Sequence, residues 1–184
     1  DFVDTIVKPT IQSRFPIDRS RQTLMGHSLG GLFTLRTMFN RPQSFQTYVA
    51  FSPSIWWDGR AVMKEAREFA KRVDRPQKLR VFLSAGHLEQ YMTPTYVAHA
   101  RDVLRRSFKA KGKTAADADK VLSDLQTSKK AAMVENAREM AVLLDAAHIQ
   151  ASFVEFADED HFSVLPVALG RAVPFALGDE LPVR

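Results

Sequence analysis

One stretch, Gly26-His27-Ser28-Leu29-Gly30-Gly31, constrains this chain more than any other. It lies between an apolar run, Thr23-Leu24-Met25, and a helix-like one, Leu32-Phe33-Thr34-Leu35. Strand, tight turn and helix together form the setting of a Gly-x-Ser-x-Gly turn that carries a nucleophile. A serine on so sharp a turn has a strained backbone, and flanking residues without a Cβ let strand and helix approach each other. The hydroxyl is then pushed out at the top of a sheet. The Leu29 N–H and the helix N-terminus face any oxyanion that forms beside it. The bland alternative is a glycine-rich helix entry with an ordinary serine; three features downstream weigh against it.

The rest of the chain alternates strand and helix. Thr23–His27 reads as a buried strand and Leu29–Phe39 as a helix with Leu32, Phe33, Leu35, Met38 and Phe39 mostly inward, stopped by Asn40-Arg41-Pro42. Gln46–Phe51 reads as a second strand, broken by Ser52-Pro53-Ser54 into a loop that ends in Trp56-Trp57. A helix follows over Arg60–Val73, then a third strand over Leu79–Ser84, closed by Ala85-Gly86. Thr95 to Ala147 is helical in pieces, with Met133, Ala137, Met140, Leu144 and Ala147 on one face. Ala151–Phe156 is a fourth strand, and a final helix runs from about Val164 to Leu177. Ahead of the first strand, Phe2, Ile6, Val7, Ile11 and Phe15 recur at helical spacing, with Pro9 as an interruption. Four repetitions of this alternation predict a parallel α/β sheet with helices on both faces. The expectation is one domain over residues 1–184.

Composition narrows the function classes. A chain of 184 residues, 45% hydrophobic and 26% charged, can bury a real core. No apolar run approaches the roughly 18 to 20 residues that span a bilayer. There is no cysteine, which excludes disulfides, thiolate metal sites and a thiol nucleophile. That absence is compatible with cytoplasm and periplasm alike. The net charge of +5 is local: Arg101–Lys130 carries nine Lys/Arg against four Asp/Glu, and the remainder balances at 17 against 17. With Phe108 its one aromatic, that segment reads as a solvated helical insertion rather than a nucleic-acid surface. Attraction of an anionic small substrate stays open.

A serine hydroxyl needs a base to take its proton, and the base needs a third group to orient it. The chain order expected on such a sheet is Ser, acid, His. His161, in Asp158-Glu159-Asp160-His161-Phe162-Ser163-Val164, lies just past the fourth strand, where the base belongs. His27 reads as a site-wall residue, while His99 and His148 sit in helical stretches as solvated or satisfied side chains. His87 occupies the region of the acid rather than the base. For the acid, Glu89 in Ser84-Ala85-Gly86-His87-Leu88-Glu89 ranks first, on the same rim as Ser28 and His161. Asp158, Glu159 and Asp160 rank second, because neighbours on a loop often point apart, and a Ser–His dyad third. Trp56 and Trp57 fall at a strand end, where aromatics can line a pocket for an acyl or aryl group. Gly112-Lys113-Thr114 resembles a phosphate-binding loop, but position 107 is serine instead of the required glycine, and no strand precedes it. Asp158–His161 lacks a partner His at helical spacing, so no metal site is expected.

With these residues laid out, the chain resembles the "putative esterase" branch of the α/β-hydrolase superfamily, which includes siderophore esterases, S-formylglutathione hydrolase and the mycolyltransferases. The resemblance rests on Gly26-His27-Ser28-Leu29-Gly30-Gly31-Leu32-Phe33, Phe51-Ser52-Pro53-Ser54-Ile55-Trp56-Trp57, Gly86-His87-Leu88-Glu89 and Asp160-His161-Phe162-Ser163-Val164. The Ser-Pro-Ser-x-Trp-Trp stretch is most similar to the siderophore-esterase-like group. The resemblance implies Ser28 as nucleophile, His161 as base and Glu89 as acid, with the Leu29 N–H in the oxyanion hole. His27, Trp56 and Trp57 are the candidate substrate contacts. No cofactor or metal is required, and the expected partner is a small-molecule ester. Such enzymes have about eight strands, with the Ser-bearing strand fifth. The chain therefore reads as the C-terminal part of a longer hydrolase, with Thr23–His27 exposing an open edge that seeks a partner, and Arg101–Lys130 as an insertion over the site. The predicted function is ester hydrolysis through an acyl-enzyme, possible substrates including siderophore-type lactones, thioesters and simple acyl esters. Acyl transfer to another alcohol is the enzymatic rival, and a hydrolase-like binding domain that keeps the turn without activity is the non-enzymatic one.

Overall fold

The computed structural model describes residues 2–72, 74, 78–91, 94–127 and 132–178. Four strands, β1 (Thr23–His27), β2 (Thr47–Phe51), β3 (Arg80–Gly86) and β4 (Gln150–Phe156), lie side by side in that order. Every neighbouring pair is parallel, and the register aligns His27, Phe51, Ser84 and Val154 across the sheet. All four strands thus end on one rim. The sheet is parallel as expected, and the strands keep their chain order in space.

Helices cover both faces, as parallel strands require. On one face α2 (Leu29–Asn40), α3 (Trp57–Ala70) and α6 (Met133–Ala146) bring Leu35, Met38, Met63, Phe69, Met140 and Leu144 onto Tyr48, Ala50, Val81 and Leu83. On the other, α7 (Val164–Leu177) lays Val164, Ala168, Ala172 and Phe175 on Val49, Phe51 and Phe82. Each large side chain buried this way stabilises by about 1.5–3 kcal/mol. β2 is buried along its whole length, which explains its uninterrupted apolar sequence.

Several expectations shift. β3 continues two residues past Ser84, through Ala85 and Gly86. Phe33, expected inward, is 55% exposed, because α2 buries a stripe through Leu32, Leu35, Met38 and Phe39 instead. Pro9 does not interrupt the N-terminal helix. A π-helical turn over Val3–Val7 runs into α1 (Lys8–Gln12) with Pro9 in its first turn, where a missing N–H costs no internal bond. Before its regular part, α3 makes a left-handed turn through Asp58, Gly59 and Arg60, all at positive φ. The expected end of that helix, Val73, lies outside the described residues, as do positions 128–130 of the basic segment.

The rest of that segment forms two helices, α4 (Pro94–Ala110) and α5 (Ala115–Thr127), packed on each other. Val97, Ala118 and Leu122 are buried, while Arg105 holds Asp119 at 3.0 and 2.5 Å and Arg106 pairs with Asp102 on the exposed side.

Candidate active site

The turn after β1 explains its own sequence. Ser28 sits at φ 59°, ψ −119°, a conformation that costs an L-residue strain. Three backbone bonds hold it there. Its N–H donates to Phe51 O at 3.0 Å, and its carbonyl accepts from the N–H groups of Leu32 at 3.0 Å and Ser54 at 3.1 Å. A Cβ on Gly26 would stand 2.1 Å from the Gly30 carbonyl oxygen, so the strand-to-helix approach depends on Gly26. Gly30, expected to matter for the same reason, has open space around its Cβ position. Gly31 is the second crowded glycine, with Pro53 Cα 3.0 Å away.

Glu89 ends a short 3-10 turn, His87–Glu89, that follows β3 directly. Its carboxylate is 7% exposed as a residue and fully engaged. Oε1 accepts from the Gly86 N–H at 2.7 Å and the Ser52 hydroxyl at 2.6 Å; Oε2 faces His161 Nδ1 at 2.5 Å. Because a carboxylate accepts, Nδ1 carries the imidazole proton. The lone pair on Nε2 then faces Ser28 Oγ, 2.9 Å away. Ser28, His161 and Glu89 therefore form one continuous hydrogen-bonded chain across the rim.

Of the rival carboxylates, that of Asp160 is bound to the backbone. Asp160 accepts the N–H groups of Phe162 at 2.8 Å and Ser163 at 2.9 Å, which hold its carboxyl below the ordinary range and start α7. Its own N–H donates to Ser163 Oγ at 2.9 Å. Asp158 sits at positive φ on an exposed turn, and the Glu159 carbonyl accepts the Leu88 N–H at 3.1 Å.

His27 supports the imidazole from below. Its Nε2–H donates to the His161 carbonyl at 2.8 Å, and the two rings lie 4.5 Å apart. Burial, then the neighbouring His161, push the His27 imidazole below its ordinary value, so it stays neutral. His87, by contrast, pairs with Glu155 at 2.6 Å, with Arg138 on the other carboxylate oxygen. His148 follows α6 on a left-handed turn.

Beside Ser28 opens a cleft of about 330 Å³, walled by Trp56, Leu88, His99, Val103, Met133 and Phe162. His99, read as solvated or satisfied in place, is exposed and stands edge-on to Phe162 at 4.6 Å in this wall. Trp56 lines the cleft; Trp57 is 49% exposed and packs against Trp56 at 5.7 Å without reaching it. His99 and Val103 both belong to α4, and of the two Val103 falls within the basic segment 101–130. The sequence marks Ser52 and Gly86 only as strand ends at this rim, and their bonds to Glu89 emerge from the fold. Among the described residues no cluster of three or more His, Asp or Glu could hold a metal, and no helix is long and apolar enough to cross a membrane.

Residues 1–156 match the family model described as "Putative esterase". The ferri-bacillibactin esterase of Bacillus subtilis (strain 168) is 34% identical over 182 residues, covering 98% of this chain and 51% of that protein. The siderophore triacetylfusarinine C esterase of Aspergillus fumigatus is 33% identical, over 97% of this chain and 57% of that one. Among solved structures, the siderophore hydrolase EstB from Aspergillus nidulans superposes with a TM-score of 0.71 at 32% identity, over 100% of this chain and 58% of its own. The chain spans about half the length of the curated relatives it matches.

Proposed function

The chain belongs to the "Putative esterase" family, of the α/β-hydrolase type, and from that membership we propose that it carries the catalytic centre of a serine esterase acting on siderophore-type esters. The observation that carries this reading is the chain of contacts from Ser28 Oγ through the His161 ring to Glu89, at 2.9 and 2.5 Å. In the proposed reaction Ser28 Oγ attacks the ester carbonyl and its proton passes to His161 Nε2. The Leu29 N–H, on the turn beside Ser28, donates to the oxyanion. Collapse expels the alkoxide, which takes the proton from Nε2 and leaves an acyl-Ser28. Water then repeats the sequence, its proton going to Nε2 and returning to Ser28 as the acid leaves. Glu89 keeps the Nδ1 proton in place and balances the imidazolium.

The cleft walled by Trp56 and Phe162 takes the acyl group, with His27 lining it and Trp57 backing Trp56. Residues 1–184 act as one α/β-hydrolase domain, with α4 and α5 as an insertion above the site. A further portion of the protein pairs with the outer edge of β1, which has no strand partner among the described residues. A fluorophosphonate probe tests the centre: the protein labels, and Ser28→Ala does not. Labelling that persists in Ser28→Ala removes Ser28 from its role. Hydrolysis of triacetylfusarinine C or bacillibactin, measured against p-nitrophenyl acetate, tests the substrate class. Equal kcat/KM on all three would overturn the siderophore preference.

A further inference from the structure

Ser52-Pro53-Ser54, at the end of β2, touches both ends of the Ser28–His161–Glu89 chain. Ser52 is fully buried and sits at φ 41°. Its hydroxyl donates to Glu89 Oε1 at 2.6 Å, and its N–H donates to the Ser84 carbonyl at 2.8 Å, anchoring it to β3. Two residues on, the Ser54 N–H holds the Ser28 carbonyl at 3.1 Å, and Ser54 Oγ lies 3.4 Å from Ser28 Oγ. Between them Pro53 fills the space that Gly31 leaves by lacking a Cβ. The three residues form a stiff bracket with the acid at one end and the nucleophile at the other.

We infer that Ser52 is a positioning residue for the reaction proposed above, acting through Glu89. A buried carboxylate with two donors on Oε1 has one preferred rotation, which aims Oε2 at His161 Nδ1. Without the hydroxyl, the Gly86 N–H alone holds Oε1. The carboxylate then turns more freely and has fewer donors for its charge, so the Glu89–His161 pair holds a proton more tightly. The other titratable groups facing the pair are His27 from β1, Asp160 from the same loop and His99 from α4. His27 donates to the His161 carbonyl, and Asp160 is bound to backbone N–H groups. His99 contacts Phe162.

The test compares wild type, Ser52→Ala and Ser52→Cys, the last keeping the side-chain size and a weaker donor, each checked for an intact fold by circular dichroism. In Ser52→Ala kcat falls roughly 10- to 100-fold, the loss of one hydrogen bond to a charged group, while KM stays within about twofold. The acid limb of the rate–pH profile moves to higher pH, and Ser52→Cys falls between. The downfield proton resonance of His161 Nδ1 shifts or broadens in Ser52→Ala, a readout that needs no turnover. A folded Ser52→Ala with wild-type kcat, pH profile and Nδ1 resonance overturns the bracket while leaving Ser28 as nucleophile. Loss of labelling and hydrolysis in the wild type instead removes the esterase reading, and the resonance still decides the bracket.

Discussion

Gly86 lies so close to the carbonyl of Glu159 that a Cβ on Gly86 would stand 2.2 Å from that oxygen and 2.7 Å from its carbon. The contact seats the loop carrying His161 directly on the turn carrying Glu89. Glu89 and His161 come from segments separated by more than seventy residues, and this missing side chain is what lets them meet.

Gly86→Ala should therefore push the Glu159–His161 loop away and break the short Glu89–His161 contact. Overpacking of this kind costs about 1–3 kcal/mol, and a shift of about 1 Å in a reacting group costs on the order of 100-fold in rate. Thermal melting and esterase kcat report the two effects. A variant with wild-type kcat would show that the loop does not need this seat.

The two glycines flanking Ser28 should behave oppositely. A Cβ on Gly26 meets the Gly30 backbone at 2.1 Å, whereas Gly30 has nothing within 4 Å. Gly26→Ala is expected to lose about 3 kcal/mol or more, or to be insoluble. Gly30→Ala is expected to be neutral, or to gain up to about 1 kcal/mol from helix propensity in α2. Denaturant midpoints for the pair decide it, and equal losses would contradict the crowding argument.

If Glu89 is the acid of the proposed reaction, Glu89→Gln should lower kcat by roughly 1,000- to 10,000-fold, since an amide favours the wrong imidazole tautomer. Asp158→Asn should change kcat less than about threefold. The reverse ranking would move the acid onto the loop. Asp160→Ala serves as a control with a different signature, a loss of about 1 kcal/mol in stability from the weakened start of α7.

Stability should fall as the solution is acidified below the ordinary histidine range, and His27 is part of the reason. Its imidazole is held below the value of 6.5 that it has in an unfolded chain, chiefly by burial and next by His161. The unfolded state then binds the proton first. The contribution is complete above about pH 6.5 and is lost as pH drops through the depressed folded value. His27→Gln should flatten the dependence of melting temperature on pH between about 5 and 7. The carboxylates held low, such as Asp160, act at more acidic pH and leave that window unchanged. An identical slope in the variant would reject this assignment.

Much of the architecture could be read from local patterns. β1 and α7 have the boundaries that hydrophobic runs and helix signals indicate. β2 and β4 differ by one residue, and β3 by more, because its last two residues pair with β4 even though Ala85-Gly86 looks like a turn. Pro9 and Phe33 depart from the local pattern for related reasons. A proline is harmless in a first helical turn, and an apolar residue in a helix is inward only if a partner stands opposite it. The Asp58-Gly59 pair is a turn signal, but nothing local announces that Arg60 also takes a left-handed conformation.

Spacing along the chain determined that a serine, a histidine and several carboxylates would reach one rim of a parallel sheet, because every strand of such a sheet ends on the same side. Which carboxylate met the imidazole, which glycines were crowded and which hydroxyl bonded to Glu89 depended on contacts between segments far apart in the chain. Those contacts are distances of a few ångströms set by how β2, β3 and the loop before α7 pack together. Residue order limits the candidates for such contacts, and packing chooses among them.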